Sequence, residues 1–233
     1  MIWMDRLNLF STWDYVAIAF LIVAWWGMTW AIEKSPKARP SMSNLMANYR
    51  REWMQQFILR QPRIYDAQIL GGLRQATAFF GSATLLAIGG ALALIGNTDQ
   101  VSGVVTDISL SEAPRFVWEV KIILILIIVT NAFLKFVWSN RLFGYCSIVM
   151  SALPVDPNDP LCALRGEQAA EINISAARAF NRGLRSVYFG LAACAWLAGA
   201  FALLLATLLT VFVIYRREFA SLSRAALMKT NEA

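Results

Sequence analysis

Histidine is absent from the 233-residue chain, and charged residues make up only 15% of it. Without imidazole, the usual haem, zinc and copper sites and the histidine-based nucleophile and acid–base systems are disfavoured. The three cysteines, Cys146, Cys162 and Cys194, have neither metal-ligand nor redox spacing and do not make a disulfide framework. We therefore predict no catalytic residues, no cofactor and no metal site, and a protein that is not an enzyme.

Apolar residues, by contrast, account for 58% of the chain, and the mean hydropathy is +0.52. Soluble domains average roughly 45–50% apolar and about 25% charged residues, so this composition favours a membrane protein. Four runs are long enough to cross about 30 Å of hydrocarbon as helices: 15–32, 77–96, 116–138 and 187–215. The sequence predicts an all-α, polytopic integral membrane protein, a four-span transmembrane helical bundle with amphipathic cytoplasmic helices and a single membrane domain over 1–233.

Lysine and arginine are distributed unevenly among the segments that flank these spans. Eight lie between spans one and two and five between spans three and four, whereas the other segments carry one, one and four. The positive-inside rule therefore predicts a multi-pass protein of the cell inner membrane with a periplasmic N-terminus. The tail is the exception, because Arg216 and Arg217 directly after span four favour the cytoplasm. The side of the C-terminus stays open.

Span three contains polar residues that allow two interpretations. Its two lysines are 14 positions apart, or about 21 Å along a helix, so that each begins near an interface and can extend its ammonium group to the headgroups. Alternatively, the polar residues form a track in the bundle interior, because ionisable groups inside spans are functional candidates. The candidate transport residues are Glu119, Lys121, Thr130, Asn131 and Lys135.

Two segments between the spans are predicted to form amphipathic helices, at about 41–61 and about 161–186. The first has an apolar stripe at every fourth position, typical of the membrane interface or of a helix that docks on a partner: Leu45, Tyr49, Trp53 and Phe57. The second has an arginine row that either anchors the chain by charge or contacts lipid phosphates or a partner: Arg178, Arg182 and Arg185. We expect this second helix to run into span four without a break.

Small residues recur at every fourth position on two spans. Helices associate in lipid through close backbone approach over such residues, so we expect the two ladders to meet, within one chain or across a homo-oligomer. They comprise Ala83, Ala87 and Ala91 on span two, and Gly190, Cys194, Ala198, Ala202 and Ala206 on span four.

Several short motifs resemble a known family. They are the run Asn140-Arg-Leu-Phe-Gly-Tyr-Cys146, the stretch Ala179-Phe-Asn-Arg-Gly183 leading to Tyr188-Phe189 and Trp196, and the terminal Tyr215-Arg-Arg-Glu-Phe219. Together they are similar to domain of unknown function 599, an uncharacterised membrane-protein family of bacteria that also occurs in plants. The resemblance implies a multi-span membrane protein and transfers no activity, cofactor or catalytic residue.

Three functions are compatible with these sequence features. The missing catalytic groups and the helix faces suited to packing favour a non-catalytic accessory or scaffold component of a membrane complex. The polar residues of span three favour a small channel or transporter. An enzyme acting on lipid would depend on the close carboxylates Asp156 and Asp159. The expected partners are the lipid bilayer and a membrane-protein complex or second copy, and no nucleic acid, because the basic residues follow the positive-inside pattern.

Overall fold

The computed structural model describes residues 8–97 and 114–229, and it is 86% helical, with no strand in those two ranges. The all-α fold is confirmed. In chain order the helices are α1 (Thr12–Glu33), α2 (Met42–Leu59), α3 (Ile64–Gly96), α4 (Arg115–Ser151), α5 (Pro160–Cys194), a 3-10 turn (Ala195–Ala198), α6 (Ala200–Phe219) and α7 (Leu222–Lys229).

Four helical segments are long and apolar enough to cross a membrane: Thr12–Glu33, Ile64–Gly96, Arg115–Ser151 and Ala200–Lys229. Large apolar side chains on these segments are exposed, as expected where lipid tails rather than water surround a helix. The prediction of a multi-pass membrane protein with a four-span bundle is confirmed.

The fourth span begins later than the sequence predicts. Instead of one unbroken helix over 187–215, α5 continues to Cys194, the 3-10 turn follows, and α6 begins at Ala200. Gly199 joins them with φ at 120°, a backbone conformation that residues with a side chain rarely adopt. A single glycine in an apolar run is compatible with a helix, which is why hydropathy does not reveal this break.

The chain divides into two compact units, and the single membrane domain over 1–233 stays a prediction. Of the described residues, those within 1–31, 84–132 and 184–217 belong to unit 1, and those within 32–83, 133–183 and 218–233 belong to unit 2. Unit 2 contains an apolar core to which α2, α3, α4 and α5 all contribute. Whole side chains of this core are buried among several helices.

Contacts within unit 1 establish the direction of its helices. Near their starts, α1 and α6 meet through Trp13 and Phe201, whose ring centroids are 5.3 Å apart. Toward the other end, Arg185 of α5 donates from Nε to Oγ1 of Thr29 on α1, 3.3 Å away. The end of α6 reaches the same part of α5, since Arg217 lies over the ring of Tyr188, about one turn beyond Arg185. Hence α1 and α6 run in the same direction, and the end of α5 runs opposite to both.

Candidate functional site

The polar residues predicted for transport do not share one track along α4. Glu119 accepts a 2.9 Å hydrogen bond from Nε of Arg115, one turn earlier on the same helix. Asn131 accepts from Oγ of Ser186 on α5 at 3.2 Å, so it joins two helices of unit 1. Two further members of the set are partly buried, Thr130 and Lys135.

Lys121 is the buried member of that set, with 7% of its surface exposed. Its Nζ lies 4.8 Å from the ring centroid of Trp118 and 5.6 Å from that of Trp196 in the 3-10 turn. Trp196 in turn donates from Nε1 to Oδ1 of Asp14 at the start of α1, 2.7 Å away. The ammonium is therefore held by cation–π contacts in a cluster that joins α1, α4 and the 3-10 turn.

The arginine row of α5 is divided among three environments. Arg182 donates from Nε to Oε1 of Glu33 at 2.8 Å, and this hydrogen bond raises the pKa of Arg182. Arg185 is only 4% exposed and is bonded to Thr29. Arg178 is exposed. The row is therefore not one charged face for lipid phosphates, because the last turn of α1 supplies polar partners to two of its members.

The apolar stripe of α2 is mostly used inside unit 2. Leu45 and Phe57 are buried, and Trp53 donates from Nε1 to Oδ1 of Asp66 at 2.6 Å. Only Tyr49 among the four is exposed. The periodicity identified the apolar face of the helix but not the helices that cover it, so the stripe as a whole is not a free docking surface.

The first residue of the span-four ladder packs against α4. A Cβ at Gly190 would lie 3.4 Å from Val129 of α4, so this glycine allows α5 to approach α4 rather than α3. The break at Gly199 interrupts the regular spacing between the halves of the second ladder. Whether exposed members pack against a second copy stays a prediction. The exposed members are Ala83, Ala87, Cys194 and Ala198, and the partly buried ones are Ala91, Ala202 and Ala206.

The carboxylates that a lipid-acting enzyme would use hold the turn between α4 and α5. Asp156 accepts from the backbone N–H of Asn158 at 3.0 Å, and Asp159 accepts from that of Leu161 at 2.8 Å. Among the described residues, no group of three histidine, cysteine or acidic side chains is placed to hold a metal ion.

Unit 2 contains a polar cavity of about 240 Å³ between α2 and α5, here called the Arg50 cavity. Sequence analysis missed it because its polar residues come from distant segments that no motif connects. The charged side chains that line it are Glu33, Arg50, Arg178 and Glu218.

The two acids of the Arg50 cavity are already engaged. Glu218, near the end of α6, accepts from Oγ of Ser43 at 3.0 Å and from its backbone N–H at 3.1 Å. That N–H belongs to the first turn of α2, where the helix dipole favours a carboxylate. Glu33 is bound by Arg182. Both carboxylates therefore have donors.

The two cations of the cavity differ from its acids. Arg50 donates from Nη1 to the neutral Oδ1 of Asn173, whose Nδ2 lies 3.6 Å from Sγ of Cys146. Burial lowers the pKa of Arg50, since desolvation penalises its charged form. Within the described part of the chain, neither Arg50 nor Arg178 forms an ion pair with a carboxylate. A small anion would compensate both charges, and the guanidinium group is well suited to bind a carboxylate or phosphate.

Comparison with known proteins gives a family but no activity. The family model described as protein of unknown function, DUF599, matches residues 16–223. The chain belongs to this family. No curated protein and no solved structure matches it. The resemblance drawn from the short motifs is confirmed, and membership in DUF599 transfers no ligand or catalytic residue to the Arg50 cavity.

Proposed function

We propose that this DUF599 chain is a non-catalytic accessory or scaffold component of a membrane complex, and that a partner protein inserts an acidic side chain into the Arg50 cavity. The observation that carries the proposal is the charge balance of the cavity. Its acids are bound by other residues, whereas Arg50 and Arg178 have no carboxylate partner among the described residues.

The size of the cavity supports a protein partner. At about 240 Å³ it is below the roughly 300–1,000 Å³ of typical small-molecule sites, so one side chain suits it better than a metabolite. Met46 lines the cavity and is exposed. Methionine adapts its shape to different partners, and arginine is enriched among the residues that dominate binding at interfaces.

The test is co-purification of the tagged chain from native membranes in mild detergent. We expect Arg178→Glu to reduce recovery of a stoichiometric partner at least tenfold, because a like charge would then face the partner's acid. Lys37→Glu makes the same charge change at another exposed position and is the matched control. Equal recovery with both variants would refute the proposal.

The alternative function is a small channel or transporter, and the burial of Lys121 is the observation that favours it. An ionisable group inside a span is costly and commonly serves transport. Flux into liposomes tests this alternative. A transporter would lose its flux in Lys121→Met, Glu119→Gln and Asn131→Leu, whereas an accessory component shows no flux in any variant or in the unmodified chain.

We also propose the cell inner membrane as the location, with the N-terminus in the periplasm and the C-terminus in the cytoplasm. Support for the C-terminal side comes from α1 and α6, which run in the same direction in unit 1. Four spans alone would leave both termini on one side, so this orientation requires the end of α5, which runs opposite to α1 and α6, to return the chain across the membrane before α6. This direction also agrees with Arg216 and Arg217 at the end of α6. Reporter fusions test it: a fluorescent protein that matures only in the cytoplasm should be bright at the C-terminus and dark at the N-terminus.

A further inference from the structure

A second cavity of unit 2, of about 380 Å³, lies between α3 and α4 and is here called the Arg63 cavity. It shares no lining residue with the Arg50 cavity. Apolar side chains on three helices contribute to its wall, namely Phe57, Leu70 and Met150, and its charged residues are Arg63 and Arg74. The cavity therefore combines an apolar wall with positively charged side chains.

The two arginines retain unused hydrogen-bonding capacity. The guanidinium carbon of Arg63 lies 4.7 Å from the ring centroid of Phe57, and its Nη2 is 3.4 Å from the carbonyl oxygen of Pro154. Its Nε is buried without a hydrogen-bond partner in the described part of the chain. Arg74 is exposed, and no described carboxylate forms an ion pair with it.

The nearby carboxylate does not neutralise this pair. Asp66 lies on the first turn of α3, but its Oδ1 accepts from Nη1 of Arg60 at 2.6 Å and from Trp53. The cavity consequently keeps a net positive charge.

The helices that line the Arg63 cavity position it for a lipid. Both α3 and α4 are candidate membrane spans. Arg74 lies three residues before the apolar run predicted to begin at Thr77, which is the level at which arginine side chains meet lipid headgroups. Further along α3, Phe79 exposes apolar surface against which acyl chains can pack.

We propose that the Arg63 cavity binds the phosphate headgroup of an anionic phospholipid. Arg74 and Arg63 bind the phosphate oxygens, and the apolar wall packs against the glycerol and the first acyl carbons. The arginine row proposed from the sequence lies on α5, so this is a different pair of basic residues at a different place.

Two neighbouring glycines provide a matched pair of variants. A Cβ at either Gly71 or Gly72 would meet nothing within 4 Å, so neither backbone position resists a side chain. Gly71 lines the Arg63 cavity and Gly72 does not. A leucine at the first position fills the cavity, whereas a leucine at the second points elsewhere on the same helix.

The experiment titrates phosphatidylglycerol and phosphatidylcholine onto the purified, delipidated full chain and counts bound lipid by native mass spectrometry. We expect phosphatidylglycerol to bind preferentially, with its affinity lowered about tenfold or more by Gly71→Leu and by Arg74→Met and unchanged by Gly72→Leu. Circular dichroism confirms that each variant is folded. Equal phosphatidylglycerol affinity in all three variants would overturn the proposal.

A second arm of this experiment separates lipid from free phosphate. A large excess of inorganic phosphate should fail to displace phosphatidylglycerol, because the apolar wall contributes only to lipid binding. Displacement by inorganic phosphate, together with phosphate binding that is lost in Gly71→Leu, would assign the site to a soluble anion and contradict the lipid proposal.

Discussion

The helices within unit 1 and the helices within unit 2 are held together by different kinds of contact. Unit 1 also buries large apolar side chains, among them Trp118 and Phe189, and single hydrogen bonds such as that of Trp196 with Asp14 join its helices, whose outer faces are apolar. In unit 2, ion pairs such as that of Arg51 with Glu171 accompany a buried apolar core.

Unit 2 differs from unit 1 in containing α2 and most of α5, helices that are not candidate membrane spans. Lipid provides no hydrophobic force between helices, so small residues and a few hydrogen bonds must specify their packing. Burial of apolar surface away from water provides a further driving force for the helices outside the candidate spans, such as α2 in unit 2. Variants in the two units should therefore respond differently, and the following ones test that expectation from the largest effect to the smallest.

The largest effect is expected for Asp66→Ala in unit 2. The substitution removes a fully buried carboxylate that Arg60, whose side chain is 37% exposed, and Nε1 of Trp53 share as their acceptor, and the loss of these hydrogen bonds costs about 3 kcal/mol. This corresponds to roughly 6–12 °C in the melting temperature followed by circular dichroism in detergent. Glu167→Ala removes an exposed carboxylate as the control and should change it little. If Asp66→Ala melts at the same temperature as Glu167→Ala and the unmodified chain, Asp66 does not stabilise unit 2.

An intermediate effect is expected for Gly183→Ala. The new Cβ would lie 2.7 Å from Cε1 of Phe136, which is fully buried and stacked on Phe80 at 5.4 Å, so the ring has little room to move. Overpacking of this kind costs about 1–3 kcal/mol.

The matched control for that variant is Gly144→Ala, within α4. A Cβ there meets nothing within 4 Å, and replacing a helical glycine by alanine gains about 0.5–1 kcal/mol. The two melting temperatures should therefore shift in opposite directions. A shift in the same direction would mean that the close approach of α5 to α4 at Gly183 does not govern packing.

The smallest effects compare one serine in each unit. Ser139 donates to the carbonyl oxygen of Ala176 at 2.7 Å in unit 2, and Ser186 donates to Asn131 in unit 1. We expect the free energy of unfolding, measured in a denaturing detergent, to fall by about 1 kcal/mol in Ser139→Ala and by about 0.6 kcal/mol in Ser186→Ala. A larger loss of unfolding free energy in Ser186→Ala than in Ser139→Ala would contradict the expected difference between the two units.

Apolar run length was enough to predict the membrane spans, because each span is a local property of about 20 residues. The apolar stripe of α2 was also predictable, but the helices that pack on it were not, since Phe57 and Phe143 join one core only through the tertiary fold. The register of α6 depended on the conformation of Gly199. Hydropathy reports composition and does not report backbone torsion angles.

The candidate sites were the least predictable part of the molecule. The Arg50 cavity joins α2 and α5 to Glu33 and Glu218, and no spacing rule links residues so far apart in sequence. The sequence identified Lys121 as a candidate, but its burial against Trp196 could not be predicted because it depends on the 3-10 turn. Charged residues were predicted as exposed faces because their partners lie on other helices.

Site-specific photo-crosslinking tests directly whether a partner protein occupies the Arg50 cavity. A photoreactive amino acid replaces Met46, which lines the cavity, or the exposed Leu59 at the other end of α2, which does not. In intact cells, position 46 should give one crosslinked protein of defined mass that Arg178→Glu abolishes, and position 59 should not give it. The same crosslinked band from both positions, or one from position 46 that persists in Arg178→Glu, would contradict the account.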